Sequence, residues 1–164
     1  MTVKRIARGC LYEDFEIGRT FIHHWGRTFN AHDGTWFSTM TMQYNPLYHD
    51  QTYARQLGYE AIPIHPLFVF TTALGLSVED LSEAGGPFLG VDDLSFHLPV
   101  YAGDTIRARS VVLDRRTSTS RPGWGIVEWK TSAENQNARP VLEFRRRNLS
   151  KMRAAAASMS KSKE

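Results

Sequence analysis

Residues 66–78 are apolar on nearly every side. Leu67, Phe68, Phe70, Leu74 and Val78 recur close to a 3.6-residue period, with Thr71, Thr72, Ala73 and Gly75 set among them. Pro66 opens the segment, where a proline is tolerated because the first amides of a helix lack helical partners anyway. Small residues allow close approach by another layer, and a helix without a polar face has to be covered. The spacing predicts a buried helix, and the rest of the chain must wrap it.

Beyond Gly85-Gly86 the pattern changes to period two. Residues 88–98, 105–113, 125–131 and 141–149 read as strands, separated by turn signals at Gly103-Asp104, Arg121-Pro122-Gly123 and Asn135-Gln136-Asn137. Strands joined by short turns favour antiparallel pairing. Upstream, residues 21–28 form a candidate strand, and Asn30 with Asp33 resembles a helix cap leading into Trp36, Phe37 and Met40. Asp50 can cap a further short helix ending before Gly58. One buried helix and a run of antiparallel strands make an α+β layer in which the sheet curls around the helix, the hot-dog arrangement. Such a layer leaves sheet edges and one face open, so a homodimer or higher homo-oligomer is expected.

At 164 residues, 41% of them hydrophobic, the chain has material for one core, expected over residues 1–149. Its net charge of +3 is unevenly spread. Thirteen basic and sixteen acidic residues precede Arg145, whereas residues 145–164 carry seven basic residues and one acidic one. The excess belongs to an Ala/Ser-rich end, residues 150–164, expected to be a disordered solubilising tail. No nucleic-acid-binding module accompanies it, so nucleic acid is not an expected partner. No apolar run is long enough to cross a membrane and the first residues lack a signal-peptide core, which leads to an expected cytoplasmic location with no membrane partner. The single Cys10 rules out an internal disulfide.

Chemistry concentrates in residues 43–50, Gln43-Tyr44-Asn45-Pro46-Leu47-Tyr48-His49-Asp50. Together with Ile64-His65-Pro66-Leu67-Phe68 and Pro99-Val100-Tyr101-Ala102-Gly103-Asp104-Thr105, this octapeptide resembles the MaoC-like dehydratase family, the hot-dog (R)-specific enoyl-CoA hydratases, over about residues 11–149. Arg27-Thr28, Thr41-Met42 and Ser118-Thr119-Ser120-Arg121-Pro122-Gly123 resemble a subgroup associated with branched dicarboxylyl-CoA substrates such as mesaconyl-CoA or itaconyl-CoA. The resemblance implies a lyase that reversibly hydrates an enoyl-CoA without a metal or organic cofactor. It also implies an Asp-x-Asn-Pro-Leu-His motif that holds a water and passes a proton, and a backbone N–H at the helix start that polarises the thioester carbonyl.

The chain departs from that pattern at three positions. Gln43 stands at the Asp position and cannot ionise. Tyr48 stands at the His position and, with a reference pKa near ~10, donates rather than accepts a proton at pH 7. Pro66 has no N–H, which passes the oxyanion role to the amide of Leu67 or a neighbour. The expected site therefore has His49 as acid/base, Gln43 and Asn45 as orienters of water and carbonyl, and Tyr48 as a donor. His65, Leu67 and Arg121 are its expected substrate contacts. Each has a plainer reading: His49 in a capping loop, Asn45 as an Asx turn, His65 packed beneath the site and Arg121 as a hairpin charge.

Other pairs carry less. His23-His24 and Asp92-Asp93 place neighbours on opposite faces of a strand, which argues against a metal or paired-carboxylate site. Gly85-Gly86 is a turn rather than a phosphate loop. The missing carboxylate leaves a second functional class open, a non-catalytic hot-dog subunit that binds an acyl thioester or partners a catalytic paralogue. A thioesterase shares the fold but needs a base near the central helix.

Overall fold

The computed structural model of the chain describes residues 8–161. A five-stranded antiparallel sheet is built from β1 (Thr20–Thr28), β2 (Phe88–Phe96), β3 (Thr105–Thr117), β4 (Trp124–Asn135) and β5 (Pro140–Lys151), in the order β1-β3-β4-β5-β2. Helix α3 (Pro66–Leu76) lies against it, preceded by α1 (Ala31–Met40) and α2 (Gln51–Gln56) and followed by the single turn α4 (Val78–Leu81). This is the α+β hot-dog layer expected from the period-two run after residue 86.

Two clusters fill the concave side. Val69 and Ala73 of α3 meet Ile106, Ala108, Leu142 and Phe144 near the start of the helix, and Phe15, Phe21, Leu81, Val112, Val127 and Trp129 form the second cluster. Within the single chain α3 is covered on one side, where Val69 and Ala73 are buried, whereas Leu67, Thr71 and Gly75 are exposed on the open face expected of such a layer. A single sheet covers only one face of a helix, and these three residues line the uncovered side. The helix also stops at Leu76, short of residue 78, because the buried Ser77 turns its hydroxyl onto Leu74 O at 2.6 Å.

Between the two clusters lies a polar layer. His23 is 2% exposed; its Nδ1 is 2.6 Å from Asp80 Oδ2 and its Nε2 is 2.9 Å from Ser110 Oγ, which in turn contacts Thr131 Oγ1 at 2.8 Å. Its neighbour His24 is exposed on the opposite face, 3.6 Å from Glu79. Burial pulls the His23 pKa down, against the opposing pull of Asp80. Folding therefore favours the neutral ring, and this contribution is present above the unfolded value of about 6.5 and lost as pH falls toward the lower folded pKa. His65 acts in the same direction. Thermal midpoints are expected to fall as the buffer is taken below pH 6.5, with a shallower slope for His23→Gln; equal slopes in the two proteins would contradict this assignment.

The C-terminal end also departs from expectation. Where a disordered tail was expected, Arg153–Lys161 forms helix α5. An alanine run is a strong helix former, and the segment is anchored at its start. Glu13 accepts from the Arg153 amide at 3.0 Å, and Asp14 pairs with the Arg153 guanidinium at 2.8 Å. Residues 162–164 lie outside the described residues.

Candidate active site at the start of the central helix

The octapeptide is an ordered, tied loop. Helix α1 is closed at its N-terminus by a capping box, in which Asp33 N donates to Asn30 Oδ1 at 2.9 Å and Asn30 N to Asp33 Oδ2 at 3.2 Å. The chain then folds back so that Gln43 N bonds Ser38 O at 2.8 Å. Asn45 Oδ1 accepts from Leu47 N at 3.1 Å and starts the 3₁₀ turn Pro46–Tyr48, and Asp50 accepts from Thr52 and Tyr53 to start α2. A line of rings docks this loop on the central helix. Phe68 stacks on Phe37 at 5.0 Å, Phe37 lies 5.5 Å from His65, and His65 lies 4.4 Å from Tyr48.

Below the loop opens a cavity of about 260 Å³, lined among others by Tyr48, Tyr59, Ile64, Val69, His97 and Val141. Its walls are largely aliphatic, with the Tyr48 and Tyr59 phenols and the His97 imidazole as polar side chains. Burial, then the nearby Tyr59, pushes the Tyr48 phenol up, so it is a hydrogen-bond donor at neutral pH. Tyr48 is the octapeptide's contribution to this cavity, together with Leu47.

The remaining expected residues are placed differently. His49 is exposed and outside the cavity lining, its Nε2–H directed at Gln43 O at 3.0 Å. Its expected approach to the cleft fails because the short loop satisfies the ring internally. Gln43 enters this arrangement through its backbone carbonyl, and Asn45 is exposed and committed to its turn. His65 is buried and caps α3, accepting the Leu67 amide on Nδ1 at 3.2 Å. Burial pulls its pKa down, which keeps the ring neutral and leaves the remaining proton on Nε2.

That cap corrects the expectation for Leu67. The Leu67 N–H donates to His65 Nδ1, and the next two amides, Phe68 and Val69, both donate to His65 O at 2.9 and 3.2 Å. The helix start holds no open oxyanion donor of the expected kind. Arg121 is corrected as well. It stacks 5.8 Å from Trp124, which pairs with Lys151, whereas the cavity touches β5 at Val141. Ten residues of strand separate the two ends, roughly 30 Å at ~3.3 Å per residue.

Sequence reasoning missed Tyr59 and His97. Neither sits in a local motif: His97 follows β2 directly, where Phe96 pairs with Leu142 and the His97 amide bonds Val141 O at 2.7 Å. The one available signal was its position at the end of the strand read over residues 88–98, two residues before the segment Pro99–Thr105 that leads into β3.

The chain as a whole matches known proteins in sequence and fold. The family model described as mesaconyl-CoA hydratase matches residues 2–163. The chain belongs to the mesaconyl-CoA hydratase family. A mesaconyl-CoA hydratase of Haloarcula hispanica is 36% identical over 151 residues, covering 92% of this chain and 42% of that protein. Among solved structures, a putative MaoC domain protein dehydratase from Chloroflexus aurantiacus superposes with a TM-score of 0.85 at 28% identity, covering 92% of this chain and 43% of that one. A Mycobacterium tuberculosis protein described as a double hotdog fold matches with a TM-score of 0.75 at 22% identity over 44% of its length, a likeness of fold. This member of the mesaconyl-CoA hydratase family therefore spans less than half the length of the curated hydratase it matches. Within the family's fold, the cavity below Tyr48 lies at the start of the central helix.

Proposed function

We propose that the chain is a hot-dog unit of a hydro-lyase that reversibly adds water across the double bond of a short, branched enoyl-CoA, with mesaconyl-CoA as the type of substrate. The observation that carries the proposal is the cavity of about 260 Å³ below Tyr48, where Tyr48, Tyr59 and His97 offer polar partners to an acyl group that ends in a carboxylate. This volume lies just below the range of sites for drug-sized ligands, roughly 300–1,000 Å³, and suits a short acyl group rather than a long chain. The coenzyme remains outside, and the thioester carbonyl comes to the mouth beside the Tyr48 hydroxyl. There the phenol donates to the carbonyl oxygen, draws electron density from the conjugated double bond, and stabilises the enolate charge that builds as water attacks the β carbon.

The unit works paired. Leu67, Thr71 and Gly75 expose one face of α3, and β1 and β2 each carry an unpaired edge. A second hot-dog unit, as a homodimer partner, covers that face.

A second reading has its own support. Gln43 cannot ionise, His49 is turned onto a carbonyl outside the cavity, and the Leu67 amide is occupied by the cap. A unit that binds the thioester and leaves the chemistry to a partner accounts for these three facts. The purified chain incubated with mesaconyl-CoA separates the readings when loss of the enoyl-thioester absorbance is followed alongside binding by calorimetry. Hydration to the hydroxyacyl-CoA is the expected result. Binding without turnover favours the second reading.

A further inference from the structure

We infer that His97 is the acid/base residue of this cavity, a role that rests on the hydratase reading above. Hydration needs one group that takes a proton from water and returns one to carbon, and imidazole is the side chain that does both near neutral pH. Of the polar side chains lining the cavity among the described residues, Tyr48 and Tyr59 are phenols, and His97 is the imidazole.

Its position fits the place where the bond changes occur. An acyl thioester enters with its acyl end inward and its coenzyme outward, so the double bond, one bond from the carbonyl, lies at the mouth rather than the floor. His97 is exposed and also lines the cavity, which is a position at the mouth. It is fixed there by its backbone, because β2 ends at Phe96 and the next amide is held on Val141 O at 2.7 Å. Tyr48 faces the same space from the octapeptide, and Tyr59 faces it from beyond α2. The Glu143 carboxyl is held below its usual range first by Lys130, 2.9 Å away, and more weakly by His97.

The step balances without a co-reactant. Neutral His97 takes a proton from water as the water oxygen bonds to the β carbon. The π electrons move to the α carbon and onto the thioester oxygen, where the Tyr48 hydroxyl donates. The imidazolium then delivers its proton to the α carbon, which restores the carbonyl and the neutral ring. Dehydration runs the same sequence backwards.

The test is His97→Asn in the full chain, with mesaconyl-CoA as substrate. The expected result is a kcat lowered by ~10²–10⁴-fold, the usual contribution of a positioned acid/base, with KM changed by no more than a few-fold. Added imidazole should partly rescue His97→Ala. Unchanged thermal midpoints establish that the fold survives. An active wild type with an equally active His97→Asn overturns the inference and leaves the hydratase reading standing. Loss of activity on His49→Asn alone assigns the proton transfer to the octapeptide instead. A wild type that binds mesaconyl-CoA without turnover overturns the hydratase reading and the role of His97 together.

Discussion

Tyr48→Phe is expected to lower kcat/KM for mesaconyl-CoA by ~10²–10³-fold, the loss typical of removing one oxyanion donor. The change deletes a single oxygen. The ring that lies 4.4 Å from His65 is kept, so the loop stays docked and the cavity keeps its shape. Because the phenol is pushed up by burial and by Tyr59, it donates throughout the working range. The loss should therefore be the same at pH 6 and pH 8 and should fall mainly on kcat. Steady-state kinetics at the two pH values check this. A loss confined to KM would make Tyr48 a ground-state contact rather than a group that acts on developing charge.

Trp129→Ala is expected to cost about 3–5 kcal/mol of stability, the range for truncating a large buried aromatic. Trp129 is 0% exposed, meets Phe15 edge-on at 5.0 Å, and lies under the Arg146 guanidinium at 5.4 Å. Its removal opens a cavity beneath a cation that is itself buried, with a pKa lowered by burial to about 10. Against a total of roughly 5–15 kcal/mol for a domain, the variant keeps only a fraction of its stability. Urea unfolding followed by far-UV circular dichroism measures the loss directly. A change below about 1 kcal/mol would mean that this second cluster does not hold the far half of the sheet to α4 and the 3₁₀ turn at Tyr12–Asp14.

The fold was legible where a local rule carries it. Pro66 marks the helix start, Asn30 and Asp33 form their capping box, and the alternation after Gly86 marks four of the five strands. Strand lengths were less legible, because β3 and β4 continue through Arg115, Arg116 and Thr117 and through Ser132 to Asn135, where pairing persists after the apolar alternation has ended. An open face was expected of the layer, but an apolar sequence does not say which residues of α3 lie on it, here Leu67, Thr71 and Gly75. The octapeptide announced a site, and Tyr48 lies in the cavity beneath it. The direction of the His49 ring depends on one hydrogen bond to Gln43 O, which no spacing rule predicts. Tyr48 and His97 are brought together by the docking of a loop onto a sheet, a contact set by tertiary packing. Arg121 looked like an anion grip from its turn, but strand register places it at the other end of β5.

A crystal structure of the protein with a non-reactive thioether analogue of mesaconyl-CoA tests the location of the chemistry most directly. The expected density places the acyl group between Tyr48, Ile64 and Val141, with the carbonyl oxygen ~2.7–3.1 Å from the Tyr48 hydroxyl and His97 beside the carbon that receives water. An acyl group lying instead in the open groove between α3 and β1, against Trp25 and Phe68, with the cavity below Tyr48 unfilled, would contradict the account.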